Sequence, residues 1–223
     1  NLMDAARRHG TIVRLRSEVA GILRQGNQVT GVKLANGTSL TSSVVVNAAG
    51  PWVNRVADKI DPKPSMINID LVQGTHIEFS QQLSERCFYL EAQQDRRAVF
   101  VLPFKGGTMV GTTEKLFDAN PDSVSPSADE VSYLTQVVQD HFPHFNHRPN
   151  NAWAGLRVLP ATEQSPFKRS REVLYGESES YLAIYGGKLT GYRATAAKVM
   201  AKVLVGLQMN TTHAVKDTSK IKL

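Results

Sequence analysis

Several features that define common protein classes are scarce or absent in this sequence of 223 residues. Its single cysteine, Cys87, excludes an intrachain disulfide framework and is typical of a reducing compartment. No run approaches the roughly 18 apolar residues of a membrane helix. The motifs G-x-S-x-G, G-x-x-x-x-G-K-[ST] and G-x-G-x-x-G do not occur either. These absences argue against a serine hydrolase, a P-loop nucleotidase and a complete dinucleotide-binding fold.

Acidic residues are also in the minority, with 20 Asp and Glu against 26 Lys and Arg and a net charge of +6. Such a balance favours an anionic partner, which leaves a phosphorylated metabolite, a membrane surface or nucleic acid. The basic residues are scattered and form no stripe interleaved with aromatic residues, which argues against nucleic acid. We therefore expect a phosphorylated small molecule, or in the intact protein a membrane surface, and no nucleic acid.

A possible metal motif, His141-x-x-His144-x-x-His147, is the third feature to weigh. Pro143 interrupts any helix there, and neither cysteine nor a close pair of carboxylates completes a coordination shell. We therefore predict no metal site.

The sequence is organised around one stretch near its carboxyl end. Residues 181–185 are apolar and aromatic and predict a buried strand, and residues 194–207 have the apolar spacing of a helix. Gly186 and Gly187 lie between them, together with Lys188 and Thr190. A glycine turn that leads into a helix presents backbone N–H groups and the positive end of the helix dipole. The stretch predicts a site for an anion, although the glycines could also serve only a tight turn.

The remaining patterns predict an α/β chain of mixed α+β character. Asn36-Gly37 is a strong hairpin signal, and Ser127 with Glu130 forms a capping box that begins a helix. The four strands between residues 71 and 113 predict an antiparallel sheet. Strands are expected at 11–15, 17–25, 28–34, 39–46, 71–79, 86–91, 98–104, 109–113, 151–158, 171–176 and 181–185, and further helices over 1–10 and 53–59.

Three polar residues in or beside predicted strands are candidates for a binding site. Arg157 lies within an apolar strand, where a guanidinium needs a partner, either a structural carboxylate or an anionic ligand. Arg171 follows a polar loop, and two arginines that meet suit a phosphate or carboxylate. His76 lies in the first strand of the antiparallel sheet; a lone histidine is more often structural, but one that faces a ligand could act as a base near neutral pH.

An ordered set of short motifs runs along the chain from about residue 10 to about residue 205. It consists of 47–52 (NAAGPW), 74–76 (GTH), 97–103 (RAVFVLP), 111–114 (GTTE), 155–160 (GLRVLP) and 186–193 (GGKLTGYR). In this order the motifs resemble the FAD-dependent glycerol-3-phosphate dehydrogenases, within the D-amino-acid-oxidase-like flavoprotein superfamily.

The resemblance implies a cofactor, FAD, and roles for individual residues. It implies that His76, Arg157 and Lys188 are catalytic and that the substrate is bound by Arg157, Arg171, Lys188 and Thr190. The residues that it implies for FAD binding are Val19, Ala48, Gly50, Gly186, Gly187, Lys188, Leu189 and Thr190.

The resemblance also implies a domain organisation. Residues 1–60 are expected to be the returning part of a partial FAD-binding, glutathione-reductase-like domain. Residues 61–185 are expected to form an antiparallel-sheet substrate domain, and residues 186–223 the flavin-facing turn, a helix packed on the FAD domain and a polar tail. Because the nucleotide-binding fingerprint is missing, we expect a fragment that could self-associate.

For the intact protein, the resemblance implies oxidation of sn-glycerol 3-phosphate to dihydroxyacetone phosphate. Electrons would pass to a quinone, and the location would be cytoplasmic and peripheral on the inner membrane. Two alternatives remain open. One is a flavin-dependent oxidase or dehydrogenase of another 2-hydroxy acid or an amine, and the other is a non-catalytic fold module.

Overall fold

A computed structural model describes residues 2–163 and 169–208 of the chain. The chain divides into two compact units, unit 1 (Asn1–Ile67 and Arg171–Leu223) and unit 2 (Asn68–Ser170). Residues 171–185 therefore belong to unit 1, which differs from the expected extent of the substrate domain. The polar tail expected after residue 209 lies outside the described residues.

The described residues form four α-helices and twelve strands. These are α1 (Leu2–Arg8), β1 (Val19–Gln25), β2 (Gln28–Leu34), β3 (Ser39–Thr41), β4 (Val45–Asn47), α2 (Val53–Ala57), β5 (Ile69–Phe79), β6 (Phe88–Glu91), β7 (Ala98–Phe104), β8 (Gly107–Gly111), β9 (Lys115–Phe117), α3 (Ala128–His141), β10 (Asn151–Pro160), β11 (Leu174–Ser178), β12 (Tyr181–Tyr185) and α4 (Tyr192–Gly206).

Unit 1 contains two three-stranded sheets. The first has the order β1-β2-β3 and is antiparallel, with the Asn36-Gly37 turn joining β2 to β3. The second has the order β11-β12-β4, in which β11 and β12 form a hairpin and β4 runs parallel to β12. The side chains of Val53 and Ala57 on α2 are fully buried, because the helix packs beside β12 and β4.

Unit 2 is built on an antiparallel sheet of six strands. The order is β10-β5-β8-β7-β6, and β9 pairs with β5 beside β8. β5 and β10 pair along ten residues, from Asn151 opposite Glu78 to Pro160 opposite Ile69. This long register determines which side chains of the two strands share a face of the sheet.

One face of the unit 2 sheet is covered by α3. Ile77, Val99 and Val110 from three strands pack with Leu134 and Val138 of the helix, and all five side chains are buried. The predicted capping box begins α3, since the Ser127 side chain accepts from the Glu130 N–H and the Glu130 carboxylate accepts from the Ser127 N–H. No helix of the described residues is both long and apolar enough to cross a membrane.

Two strand predictions were wrong. Residues 11–15 form no strand. Residues 39–46 are not one strand either, because Ser42 Oγ donates to the Val44 carbonyl and accepts from the Val44 N–H, and β3 and β4 then enter different sheets. The three-residue strand β9 was not predicted. The mixed fold class is confirmed.

Candidate functional site

The face of the unit 2 sheet opposite α3 carries the polar candidates. Side chains alternate along a strand, so that Ile77 and Phe79 point toward α3 while His76 and Glu78 point to the other face. On the neighbouring strand Trp153 lies opposite His76 and Gly155 opposite Gly74. With Arg157 two positions further along β10, these side chains form one continuous patch, which we call the open face.

Arg157 lies flat against the backbone of the neighbouring strand. Its Nη2 donates to Thr112 Oγ1 at 2.9 Å and its Nη1 to the Thr113 carbonyl at 3.3 Å. A Cβ on Gly74 would lie 2.5 Å from Nη1 and 2.6 Å from Nη2, so only glycine leaves this space. The guanidinium is thus held, half-buried, at a defined place on the open face, and an arginine remains charged at neutral pH.

His76 is held between an aromatic ring and a glycine. Its imidazole stacks on the Trp153 indole, with centroids 4.3 Å apart and an interplanar angle of 10°. On β8, a Cβ at Gly111 would collide with the imidazole. The buried Nδ1 atom has no hydrogen-bond partner within the described part of the chain.

The surroundings of His76 keep its ring neutral. Burial and then the positive charge of Arg157 lower the pKa of His76 from its ordinary value of 6.5, and the charge of Glu78 opposes them. A histidine whose pKa lies below 6.5 is unprotonated at pH 7, so it can accept a proton there. Arg157 beside it would stabilise negative charge on the same ligand.

In unit 1, the predicted glycine turn follows β12. Gly186 and Gly187 both have positive φ, 74° and 104°, a conformation that other residues rarely adopt. A short 3₁₀ turn, Leu189–Gly191, then leads into α4. The first N–H groups of such a turn have no partner within it, which makes the turn suitable for binding an anion.

An open groove lies beside this turn, with a volume of about 520 Å³. Its walls are mostly apolar, its rim carries the exposed cation Lys188, and Leu189 is 86% exposed beside it. The lining residues include Ile184, Gly186, Gly187, Tyr192, Val199 and Met200. An apolar wall with a cation at one edge fits a planar ring system that carries negative charge on one side.

A second turn of unit 1 that contains predicted cofactor residues follows β4. The buried Asn47 amide donates to the Val53 carbonyl at 2.8 Å and to Tyr181 Oη at 2.7 Å, and its Oδ1 accepts from the Ala49 N–H. These bonds hold the turn that contains Ala48, which is exposed, and Gly50, which has a φ of 54°. In β1, the Val19 carbonyl accepts a hydrogen bond from Lys59.

The structure groups the predicted residues into two sets. His76 and Arg157 lie together on the open face of unit 2. Lys188, Thr190 and the FAD-binding candidates lie in unit 1, where Arg171 is the first residue after the unit boundary. That Arg157, Arg171 and Lys188 converge on one anion stays a prediction.

Three contributors to the open face were missed from the sequence, Gly74 as a space for Arg157, and Glu78 and Trp153 as neighbours of His76. Residues an even number of positions apart in a strand lie on the same face of the sheet. Gly74 and Glu78 are each two positions from His76, and Trp153 precedes Arg157 by four positions. This alternation could have been used to predict that Gly74 and Glu78 share a face with His76, and Trp153 with Arg157.

Unit 2 thus carries a histidine beside an arginine on its open face, and unit 1 carries an apolar groove with a lysine at its rim. The sequence pattern of the family described as FAD dependent oxidoreductase matches residues 1–206. The chain therefore belongs to the FAD dependent oxidoreductase family, which confirms the predicted cofactor, FAD, and the predicted class of enzyme.

Curated relatives and solved structures agree with this assignment. The chain is 31% identical over 212 residues to a glycerol-3-phosphate dehydrogenase of Pseudomonas aeruginosa, which covers 89% of this chain and 41% of the relative. It is 31% identical over 189 residues to the aerobic glycerol-3-phosphate dehydrogenase of Staphylococcus aureus, covering 79% and 34%. The chain thus spans about two fifths or less of the length of these relatives.

The fold is similar to that of the glycerol-3-phosphate dehydrogenase from Bacillus halodurans, solved in complex with FAD. The TM-score is 0.82 at 26% identity, and the match covers 98% of this chain and 43% of that chain. L-proline dehydrogenase from P. horikoshii has the same fold, with a TM-score of 0.63 at 19% identity over 92% of this chain and 53% of the other.

Proposed function

We propose that the intact protein oxidises sn-glycerol 3-phosphate to dihydroxyacetone phosphate with FAD as its cofactor. The observation that carries the proposal is the pair formed by a neutral His76 and a fixed Arg157 on the open face. Oxidation of a secondary alcohol needs a base for the hydroxyl proton and a positive charge for the oxygen that loses it. The names of the relatives support the choice of glycerol 3-phosphate as the alcohol.

In this proposal, residues of the chain bind the substrate and remove its proton. His76 takes the hydroxyl proton, and Arg157 and Lys188 stabilise the developing negative charge on that oxygen. Arg171, with Lys188 and Thr190, binds the phosphate group. FAD, when bound, would supply the acceptor for the hydride of the secondary carbon, and a quinone would be the final electron acceptor.

The cofactor would be held by unit 1. The backbone N–H groups at Gly186 to Thr190 and the charge of Lys188 suit the anionic edge of a flavin, and the apolar groove suits its ring. Val19, Ala48 and Gly50 would contact the rest of the cofactor. Because quinones dissolve in lipid, we place the intact protein in the cytoplasm, peripherally on the inner membrane, where the net charge of +6 on these 223 residues favours anionic lipid.

A substrate panel tests the proposal on the intact, FAD-loaded protein with an artificial electron acceptor. We expect glycerol 3-phosphate to be oxidised faster than glycerol, which lacks the phosphate, and faster than 2-hydroxy acids or amines. Arg157→Lys should lower kcat/KM by at least about tenfold, or 1.4 kcal/mol. A lysine cannot reproduce the two guanidinium hydrogen bonds, to Thr112 Oγ1 and to the Thr113 carbonyl, that fix the position of the charge. The exposed Arg96, which pairs with Glu91, provides the control Arg96→Lys.

Two results would contradict the proposal. Faster turnover of a 2-hydroxy acid or an amine would replace glycerol 3-phosphate as the substrate and support the alternative flavin enzyme. A protein that neither becomes yellow with FAD nor oxidises any member of the panel would support a non-catalytic fold module.

A further inference from the structure

The stacking partner of His76 is itself held by a specific pair of hydrogen bonds. Trp153 Nε1 donates to Glu78 Oε1 at 2.9 Å, and Asn151 Nδ2 donates to Glu78 Oε2 at 3.1 Å. Both carboxylate oxygens of Glu78 on β5 are therefore used to hold side chains of β10. Trp153 is 40% exposed, so packing alone leaves its side chain room for other rotamers.

The anchored indole determines where the imidazole can lie. His76 and Trp153 are directly opposite each other in the β5–β10 register, and their rings are nearly parallel. On the β8 side, Gly111 is opposite His76 and leaves space for its ring. The imidazole nitrogen Nδ1 makes no hydrogen bond with the described residues, so no hydrogen bond at that atom fixes the ring plane. The stacking contact takes that role.

We propose that Glu78 and Trp153 form a positioning pair, in which the carboxylate fixes the indole and the indole fixes the plane and the burial of the His76 ring beside Arg157. The proposal rests on the proposed function for one point only, that His76 is the base. Neither Glu78 nor Trp153 is required to touch the substrate.

The two members of the pair change the pKa of His76 in opposite directions. Among the described residues of unit 2, the charged groups that act on His76 are Arg157 from β10 and Glu78 from its own strand, while β8 presents Gly111. Trp153 buries the ring, and burial is the largest cause that lowers the pKa of His76; the charge of Glu78 raises it. Removal of the indole and removal of the charge should therefore shift the titration of His76 in opposite directions.

Proton NMR of the 223-residue chain measures both halves of the proposal without substrate or cofactor. The chain has only two tryptophans, so that the indole N–H of Trp153 can be read against that of Trp52. In Glu78→Ala the Trp153 indole N–H should exchange faster with water and shift toward the value of a free indole. The Trp52 signal should stay unchanged.

The imidazole signal of His76 is identified as the one that is missing from the spectrum of His76→Gln. Its chemical shift as a function of pH gives the titration midpoint of His76. Glu78→Gln keeps an oxygen that can accept from the indole but removes the charge, so the midpoint of His76 should move to lower pH. Trp153→Ala exposes the imidazole, so the midpoint should move to higher pH, and Trp153→Phe should restore most of the original value. Glu91→Gln, on β6 of the same sheet with two strands between, should leave the midpoint unchanged.

Two results would overturn the positioning pair. One is an unchanged Trp153 indole signal in Glu78→Ala, and the other is a His76 midpoint that moves in the same direction in Glu78→Gln and Trp153→Ala or not at all. If Trp153→Ala does not fold, the indole signal of Glu78→Ala and the midpoint of Glu78→Gln decide the question. Since these measurements need no turnover, a protein that fails the substrate panel but shows the predicted shifts refutes the proposed function alone.

Discussion

Two glycines that are paired on the open face differ in the space that surrounds them. Gly74 on β5 lies opposite Gly155 on β10. A Cβ on Gly74 would meet the Arg157 guanidinium and Thr112 Oγ1 within 2.6 Å, whereas a Cβ on Gly155 would meet nothing within 4 Å. A single methyl group can therefore probe the position of Arg157.

We expect Gly74→Ala in the intact protein to lower kcat/KM by about tenfold, or 1.4 kcal/mol, because the guanidinium must leave its hydrogen bond to Thr112. Stability should fall only slightly, since the nearest atoms that must move belong to the side chains of Arg157 and Thr112 and not to the backbone. Gly155→Ala is the matched control and should keep the original kcat/KM. Steady-state kinetics and thermal unfolding of both variants check this, and equal activity of the two would mean that the position of Arg157 is unimportant.

His76 and Arg171 have different proposed roles, which kinetics can separate. Arg171→Ala should mainly raise KM, because a contact with the phosphate is made equally in the ground state and the transition state. His76→Gln should instead lower kcat by about a hundredfold or more, since a base acts only as the proton is transferred. Arg96→Ala serves as the control for loss of a cation. Small, equal changes of both parameters in both variants would show that neither residue has the role assigned to it.

At the scale of elements, one carboxylate joins α3 to the sheet of unit 2. The buried Glu130 accepts hydrogen bonds from Gln73 Nε2 and from Thr113 Oγ1, both at 2.6 Å, in addition to its capping-box contacts with Ser127. Burial alone would raise the pKa of Glu130, but the hydrogen bonds from Thr113 and Ser127 outweigh it and lower the pKa from 4.5. The charged form is thus stabilised by folding.

Glu130→Gln should lower the free energy of unfolding of unit 2 at pH 7 by about 1–3 kcal/mol. An amide nitrogen, which cannot accept a hydrogen bond, would replace one of the two carboxylate oxygens that accept from Gln73, Thr113 and Ser127. A carboxyl whose pKa is lowered by folding adds stability above its unfolded pKa and loses it as the pH falls through the folded pKa. The difference between the two proteins should therefore shrink below about pH 4.5.

Urea unfolding at several pH values checks this, with Trp153 fluorescence in a Trp52→Phe background as the signal from unit 2. Asp129→Asn, an exposed acid in the first turn of the same helix, is the control. A stability difference that stays constant down to pH 3 would mean that Glu130 is not the titrating group.

At the scale of the whole molecule, β4 ends the second sheet of unit 1 and exposes part of its edge. Among the described strands it pairs only with β12, and Val46 is 39% exposed. The 223 residues also contain no G-x-G-x-x-G turn, where a dinucleotide pyrophosphate is chiefly bound. The cofactor contacts proposed for unit 1 are therefore those of the adenine and flavin ends.

We expect the isolated 223-residue chain to fold, to bind FAD weakly or not at all, and to show no dehydrogenase activity. An exposed strand edge favours pairing with a second copy, so the chain should self-associate as its concentration rises. Val46→Lys should reduce the association, while Ile12→Lys, at an exposed residue outside the sheets, should not.

Titration followed by flavin fluorescence, and size-exclusion chromatography at several concentrations, measure the two properties. Tight stoichiometric binding of FAD would show that the cofactor site is more complete than proposed. A monomer at all concentrations would show that the β4 edge does not pair.

Signals that act within a few residues were sufficient to predict much of the fold. The capping box at Ser127, the Asn36-Gly37 hairpin and the glycine turn at Gly186 were confirmed, because each depends on local backbone preferences and local hydrogen bonds. Likewise the short runs rich in apolar, β-branched and aromatic residues were sufficient to predict β5, β7 and β10, although they missed the interruption at Ser42. The ordered motifs indicated the family, which the match over residues 1–206 confirms.

Only the tertiary structure decided how the open face is composed. His76 and Trp153 are 77 positions apart in the chain, and the β5–β10 register alone puts their rings in contact. The bonds from β10 to Glu78 and the placement of Arg157 over Gly74 follow from the same register. A shift of β10 by one residue would turn its Trp153 and Arg157 side chains to the other face of the sheet. Such a register depends on how the whole of unit 2 packs. The sequence by itself therefore determined which functional residues are available, and the tertiary structure decided which of them are in contact.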